Sequence, residues 1–146
     1  MGNDGDVEAF LGPLIVSGDF EVLDANSAFY EAFSERDLAA MDVVWAKDAP
    51  VVCVHPGWDV LRGREAVMES WRAILNGPGS PEIGCSHAFA QLLGETALVV
   101  CREHVPGGEL VATNVFVREG GAWKLVHHQA SPLATESEEM PDEPLN

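Results

Sequence analysis

Positive charge is what this chain of 146 residues has least of: eight Lys and Arg stand against 24 Asp and Glu, a formal net charge of −16. Such a surface repels nucleic-acid phosphates and anionic lipid, so neither nucleic acid nor membrane is expected as a partner. Cysteine is sparse as well. Cys53, Cys85 and Cys101 are odd in number, lie far apart and form no C-x-x-C pair, so buried reduced thiols are expected rather than disulfides or a structural zinc site. The five histidines show neither H-x-x-x-H nor H-E-x-x-H spacing, and neither a metal nor a cofactor is expected. No glycine-rich phosphate loop precedes a helix, and no G-x-S-x-G elbow occurs. The first residues, MGNDGDVEAF, are acidic where a secretory signal needs a basic start, and no apolar run reaches the ~18 residues of a membrane span. The chain reads as cytoplasmic.

What is present is an ordinary globular composition, 47% apolar and 22% charged, in a length suited to one core. Residues 1–24, rich in Gly and acids, read as an irregular arm, and residues 134–146 as an acidic disordered tail. In the domain between them, residues 25–133, Asn26 or Ser27 is positioned to cap a helix running to about Arg36, with Phe29, Ala32 and Phe33 on one face. Asp37 caps a second helix striped by Leu38, Met41, Val44 and Trp45. PVVCVH is short and β-branched, hence a strand, and GREAVMESWRAIL puts Val67, Trp71 and Ile74 on one face of a third helix. From Ile83 the period changes to alternation in four segments joined at Gly94, PGG and EGG, turns tight enough to require antiparallel neighbours. Three helices followed by a curved antiparallel sheet make an α+β domain able to enclose a pocket for a small molecule.

The order of these elements, with FYEAFSERDLAAMDVVWAKDAPVVCVHPGW, LRGREAVMESW and NVFVREGGAWKLVHHQASP, resembles the SnoaL-like branch of the nuclear transport factor 2-like superfamily. That superfamily has a cone-shaped fold and includes ketosteroid isomerase, polyketide cyclases, small dehydratases and the association domain of calmodulin-dependent kinase. The resemblance implies an isomerase, dehydratase or cyclase type of enzyme, or else a non-catalytic dimeric ligand-binding or scaffold module. Laid on ketosteroid isomerase, His55 takes the place of the general-base aspartate that precedes a proline. Asn114 falls on or beside the oxyanion-hole acid, and Phe29 on the oxyanion-hole tyrosine, which removes that donor. The same comparison puts His128 and Ala130 on the pocket side, and Trp123, Leu125, His127 and Gln129 on the face these proteins commonly use to form a homodimer. The kinase association domains usually show V-H-x-H-x-S here; this chain reads Val126-His127-His128-Gln129-Ala130-Ser131, with Gln129 in place of the second histidine.

The residues support a candidate site on their own terms. His55, as a neutral imidazole at a strand end, either relays protons or merely bonds the following turn, and Asp59 either orients it or serves that turn. His127 and His128 are adjacent on a strand and must face opposite ways, so one of them enters the pocket. A buried Asn114 needs a partner, His128 being one candidate and backbone another. Phe29, Trp45, Trp58, Trp71 and Phe116 stand near the expected cavity, either as ligand-binding walls or as core. Glu103 is an inward acid or an exposed salt-bridge partner, and Arg62 and Arg64 either draw an anion to the rim or are solvated.

Overall fold

The computed structural model describes residues 17–79 and 82–134; the expected arm before residue 17 and the expected tail after residue 134 lie outside them. The first helix, α1, runs Ser17–Ser34, beginning well before the expected cap at Asn26 or Ser27. The helical period continues upstream, so that Val22, Asn26, Phe29 and Tyr30 share one buried face. Asn26 therefore sits in the core-facing stripe, and its amide is satisfied by a residue far away in sequence rather than by the helix end. Arg36 stops the chain with a positive φ, and its guanidinium donates to the carbonyls of Leu75 and Gly77, both at 2.9 Å, tying α1 to the end of the third helix.

The second helix, α2 (Leu38–Val44), is capped as expected, with the Ala40 N–H donating to the Asp37 carboxylate at 3.0 Å. Strand β1 (Val52–Val54) and a short β2 (Leu61–Arg62), which the alternation did not reveal, precede α3 (Arg64–Asn76). Arg64 is not free to hold an anion: it donates to the carbonyls of Trp45 and Ala46 at 3.0 and 2.8 Å and to Asp42, closing the end of α2. Strands β3 (Gly84–Leu93), β4 (Thr96–Val105), β5 (Gly108–Glu119) and β6 (Ala122–Leu133) follow the four alternating segments.

The six strands form one sheet in the order β2-β1-β6-β5-β4-β3. All neighbours are antiparallel except β1 and β6, which run parallel with Cys53 opposite His128. Three helices on one face of a curved, mainly antiparallel sheet is the α+β architecture that the resemblance implies. Between them Phe29, Met41, Trp45, Trp71, Phe116 and Leu125 form the core. The parallel pair brings the strand before His55 alongside His128.

One expectation about β6 is overturned. The pairing passes from Val115 with His127 to Phe116 with Leu125, which leaves Val126 as an extra residue. This bulge shifts the alternation by one place, so Trp123 and Leu125 point into the core on the same side as His128 and Ala130. Only His127 and Gln129 of the expected outer set remain outside.

Candidate functional site

His55 follows β1 directly, and its carbonyl accepts the Trp58 N–H at 2.9 Å across a turn in which Gly57 has φ 85°, a conformation that glycine alone adopts freely. The backbone thus serves the turn while the imidazole turns inward, 4% exposed. Its Nε2 lies 2.9 Å from Ser70 Oγ, and Ser70 itself donates to the Val67 carbonyl at 2.6 Å. With the serine proton spent on that carbonyl, Nε2–H is the donor to Ser70, and Nδ1 holds the lone pair. The rings of Trp58 and Trp71 stand at 4.8 Å on either contact. Burial lowers the pKa of His55 to about 4, so the ring is neutral at pH 7. Asp59 does not orient it; that carboxylate accepts the Val60 N–H at 2.7 Å, as a turn residue does.

His128 lies beside it, the ring centroids 6.5 Å apart. Its Nδ1 is 2.6 Å from Asn114 Oδ1, while Asn114 Nδ2 donates to Asn26 Oδ1 at 2.9 Å and to the Tyr30 hydroxyl at 3.2 Å. An amide that gives its N–H groups to two oxygens must accept at its own oxygen, so His128 is protonated on Nδ1. Tyr30 in turn donates to Glu103 Oε2 at 2.6 Å, and that oxygen lies 3.8 Å from His128 Nε2. Burial lowers the pKa of His128 to about 3, with smaller contributions from His55 and His127. Burial also raises the pKa of Glu103, and raises that of Tyr30 with help from the Glu103 charge. A short polar circuit of neutral imidazoles, amides, phenol and carboxyl is thereby enclosed in the core.

Of the proposed site residues the fold brings together His55, His128, Asn114, Phe29 and Trp71. Phe29 packs 4.9 Å from His128 and 5.5 Å from Trp71. Trp45 lies apart, in a bridge to Leu125, and Phe116 is sealed within the sheet. Trp58 is 45% exposed and covers His55 from outside. Glu103 is the inward acid and not a surface partner. The residue that comparison by family overlooked is Tyr30: Phe29 was matched to the phenol, yet the phenol enters the core one place later. A usable signal existed, since Tyr30 is the single tyrosine of the chain and stands one helical turn after Asn26. A hollow of about 430 Å³, lined by Asn26, Tyr30, Cys85 and Ala88 among others, opens onto the α1 end of this circuit. Among the described residues no group of three or more His, Cys, Asp or Glu is placed to hold a metal ion.

The buried imidazoles make stability acid-sensitive. Each has a folded pKa below the value of 6.5 for a free histidine, so its contribution is intact above pH 6.5 and is lost as pH falls, because the unfolded chain binds the proton first. The raised carboxyl of Glu103 acts in the opposite sense. Stability should therefore fall as pH is lowered from 6.5 toward 5, each buried imidazole contributing up to about 1.4 kcal/mol per pH unit. Urea midpoints measured across that window check it, and a flat profile would contradict the burial of both rings.

Comparison with known proteins places the fold. A family model for the SnoaL-like domain matches residues 22–135. Among solved structures, a candidate dehydratase of the NTF2-like family from Streptomyces avermitilis is 36% identical with a TM-score of 0.73, covering 81% of this chain and 97% of its own. A candidate calcium/calmodulin-dependent protein kinase type II association domain from Thiobacillus denitrificans is 34% identical with a TM-score of 0.69, covering 75% of this chain and 93% of its own. The F-box protein SKIP8 of Arabidopsis thaliana is 26% identical over 121 residues, 82% of this chain; the chain spans about half the length of that relative, 52%.

Proposed function

We propose, from the premise that this chain belongs to the SnoaL-like domain family, that it is a small-molecule enzyme of isomerase, dehydratase or cyclase type acting by proton transfer through His55. The observation that carries the proposal is the enclosed circuit of Tyr30, Glu103, Asn114 and His128 beside a neutral His55. A core gains nothing in stability from so many desolvated polar groups, whereas a site that must meet developing charge on a carbonyl oxygen uses them directly. In this reading the Nδ1 lone pair of His55 takes a proton adjacent to a carbonyl. His128 and Asn114 hold the circuit's direction, and the Tyr30 phenol gives its proton to Glu103 in the resting site. The candidate dehydratase from Streptomyces avermitilis is similar over most of its length, which favours the same class of chemistry. The test uses cyclohex-3-enone: turnover to the conjugated enone, or exchange of its α-hydrogens in deuterium oxide, is expected. Failure of both would remove the catalytic reading.

A second reading has its own observation. Phe29, Trp71 and Phe116 are wholly buried, an interior already filled by side chains, as a non-catalytic dimeric ligand-binding or scaffold module would have. Similarity to the association domain points the same way. Both readings include a homodimer through the outer sheet face, where Val115 lies opposite His127. Light scattering should give twice 15.7 kDa, and Val115→Arg should return the monomer by burying an unpaired charge. A monomeric wild-type protein would discard the dimer.

A further inference from the structure

Away from His55, on the opposite face of the sheet, lies a second set of reactive groups. Glu103 faces the core, so its neighbours Arg102 and His104 face outward. The register sets Ser86 opposite Arg102, and places His104 between Gly84 on β3 and Glu109 on β5. Because Gly84 has no side chain, the diagonal approach of Ser86 to His104 is unobstructed. Ser86 Oγ is 2.6 Å from His104 Nε2, and His104 Nδ1 is 3.2 Å from Glu109 Oε2. A third contact joins them, His87 Nδ1 at 2.8 Å from Ser86 Oγ. His87 holds φ 56° within a bulge of β3, an unfavourable backbone state of the kind found where a side chain is re-aimed.

The proton positions follow from the acceptors. A carboxylate only accepts, so His104 carries its proton on Nδ1 toward Glu109 and presents the Nε2 lone pair to Ser86. Ser86 then donates its single proton to His104, which leaves the His87 Nδ1–H to donate to the serine oxygen. A nucleophile within reach of a base, that base held in tautomer by a carboxylate, is the arrangement that activates a serine. A cleft of about 630 Å³ lined by Gly84, His104, Val105 and Arg36 adjoins the imidazole of the cluster.

We propose that Ser86, His104 and Glu109 form an acyl-transfer triad that hydrolyses small activated carboxylic esters. Ser86 Oγ bonds the carbonyl carbon as its proton passes to His104 Nε2. The ester C–O bond then breaks, and the leaving oxygen takes that proton. Water attacks the acyl-serine with the same imidazole as base, releasing the acid and restoring Ser86. Negative charge gathers on the former carbonyl oxygen, for which the His87 N–H beside Ser86 Oγ is the donor at hand.

The test incubates the full chain with 4-nitrophenyl acetate and reads both the nitrophenolate burst and the acetylated peptide by mass spectrometry. A burst equal to the protein present, with acetyl on Ser86, is expected. Ser86→Ala should abolish both signals, and His104→Gln should slow acylation at least roughly 10²-fold. Glu109→Gln should slow it about tenfold or more by releasing the tautomer. Ser86→Cys should restore a label, now as a thioester, showing that the position and not the fold is at issue. If Ser86→Ala keeps the wild-type burst, or acetyl is found on lysine or histidine instead, isolated imidazoles are responsible and the triad is wrong. Unfolding curves superimposable with wild type are the control for these half-buried positions.

Discussion

His55→Ala is expected to slow enone isomerisation by roughly 10²–10⁴-fold, the usual contribution of a positioned base. The magnitude alone does not separate a base from a packing residue, because the ring also fills space between Trp58 and Trp71. His55→Gln makes the separation: its amide can keep the hydrogen bond to Ser70 and much of the volume, yet it cannot accept a proton at a catalytically useful pKa. Full loss in the glutamine variant with a near-native unfolding midpoint identifies proton transfer, whereas retained turnover ends the proposal. The pH profile provides a second signature. The neutral ring is the active form, so kcat/KM should be level from pH 8 downward past the ordinary histidine value of 6.5 and should fall only as pH approaches about 4. A limb near 6.5 would mean that His55 is solvated in the free protein.

Trp71→Ala carries the largest expected loss of stability, about 3–5 kcal/mol. The indole is fully buried and sits at the junction of both histidines with α1, its ring 4.9 Å from Phe33, 4.8 Å from His55 and 6.2 Å from His128. Removing it leaves a void lined by aromatic rings that cannot collapse, since α3 is held by Arg64 and Arg36 at its two ends. Its indole N–H finds no acceptor among the described residues. Trp71→Phe deletes that orphan donor along with part of the ring, so it should be distinctly milder than alanine. Denaturant unfolding of the two variants measures the difference. A loss below about 1 kcal/mol in the alanine variant would mean that the interior is open in solution, contrary to the filled-core reading.

Much of the fold was legible because its causes are local. The Asp37 cap, the apolar stripe of α3, the breaker after it and the four alternating strands each depend on neighbours within a few residues, and each stands where the pattern placed it. The start of α1 was misplaced for the converse reason: Asn26 carries a cap's side chain, but a partner from β5 claims its amide. The site was legible in part. His55, His128 and Asn114 were named, and they do come together, but Tyr30, Ser70 and Asn26 were not named as their partners. A polar residue in an apolar stripe announces only that something must satisfy it.

By itself, then, the chain's sequence determined an α+β domain of three helices and a curved sheet, its acidic character and the identity of its reactive side chains, since composition and periodicity act through the chain's own neighbours. Tertiary structure alone decided which of those side chains share a site. The parallel pairing of β1 with β6 brought His55 to His128, and the extra residue at Val126 turned Trp123 inward. The register of β3, β4 and β5 aligned Ser86, His104 and Glu109. Strand register is settled by burying whole faces at once, and a shift of one residue reverses every side chain beyond it, so no local pattern contains that choice.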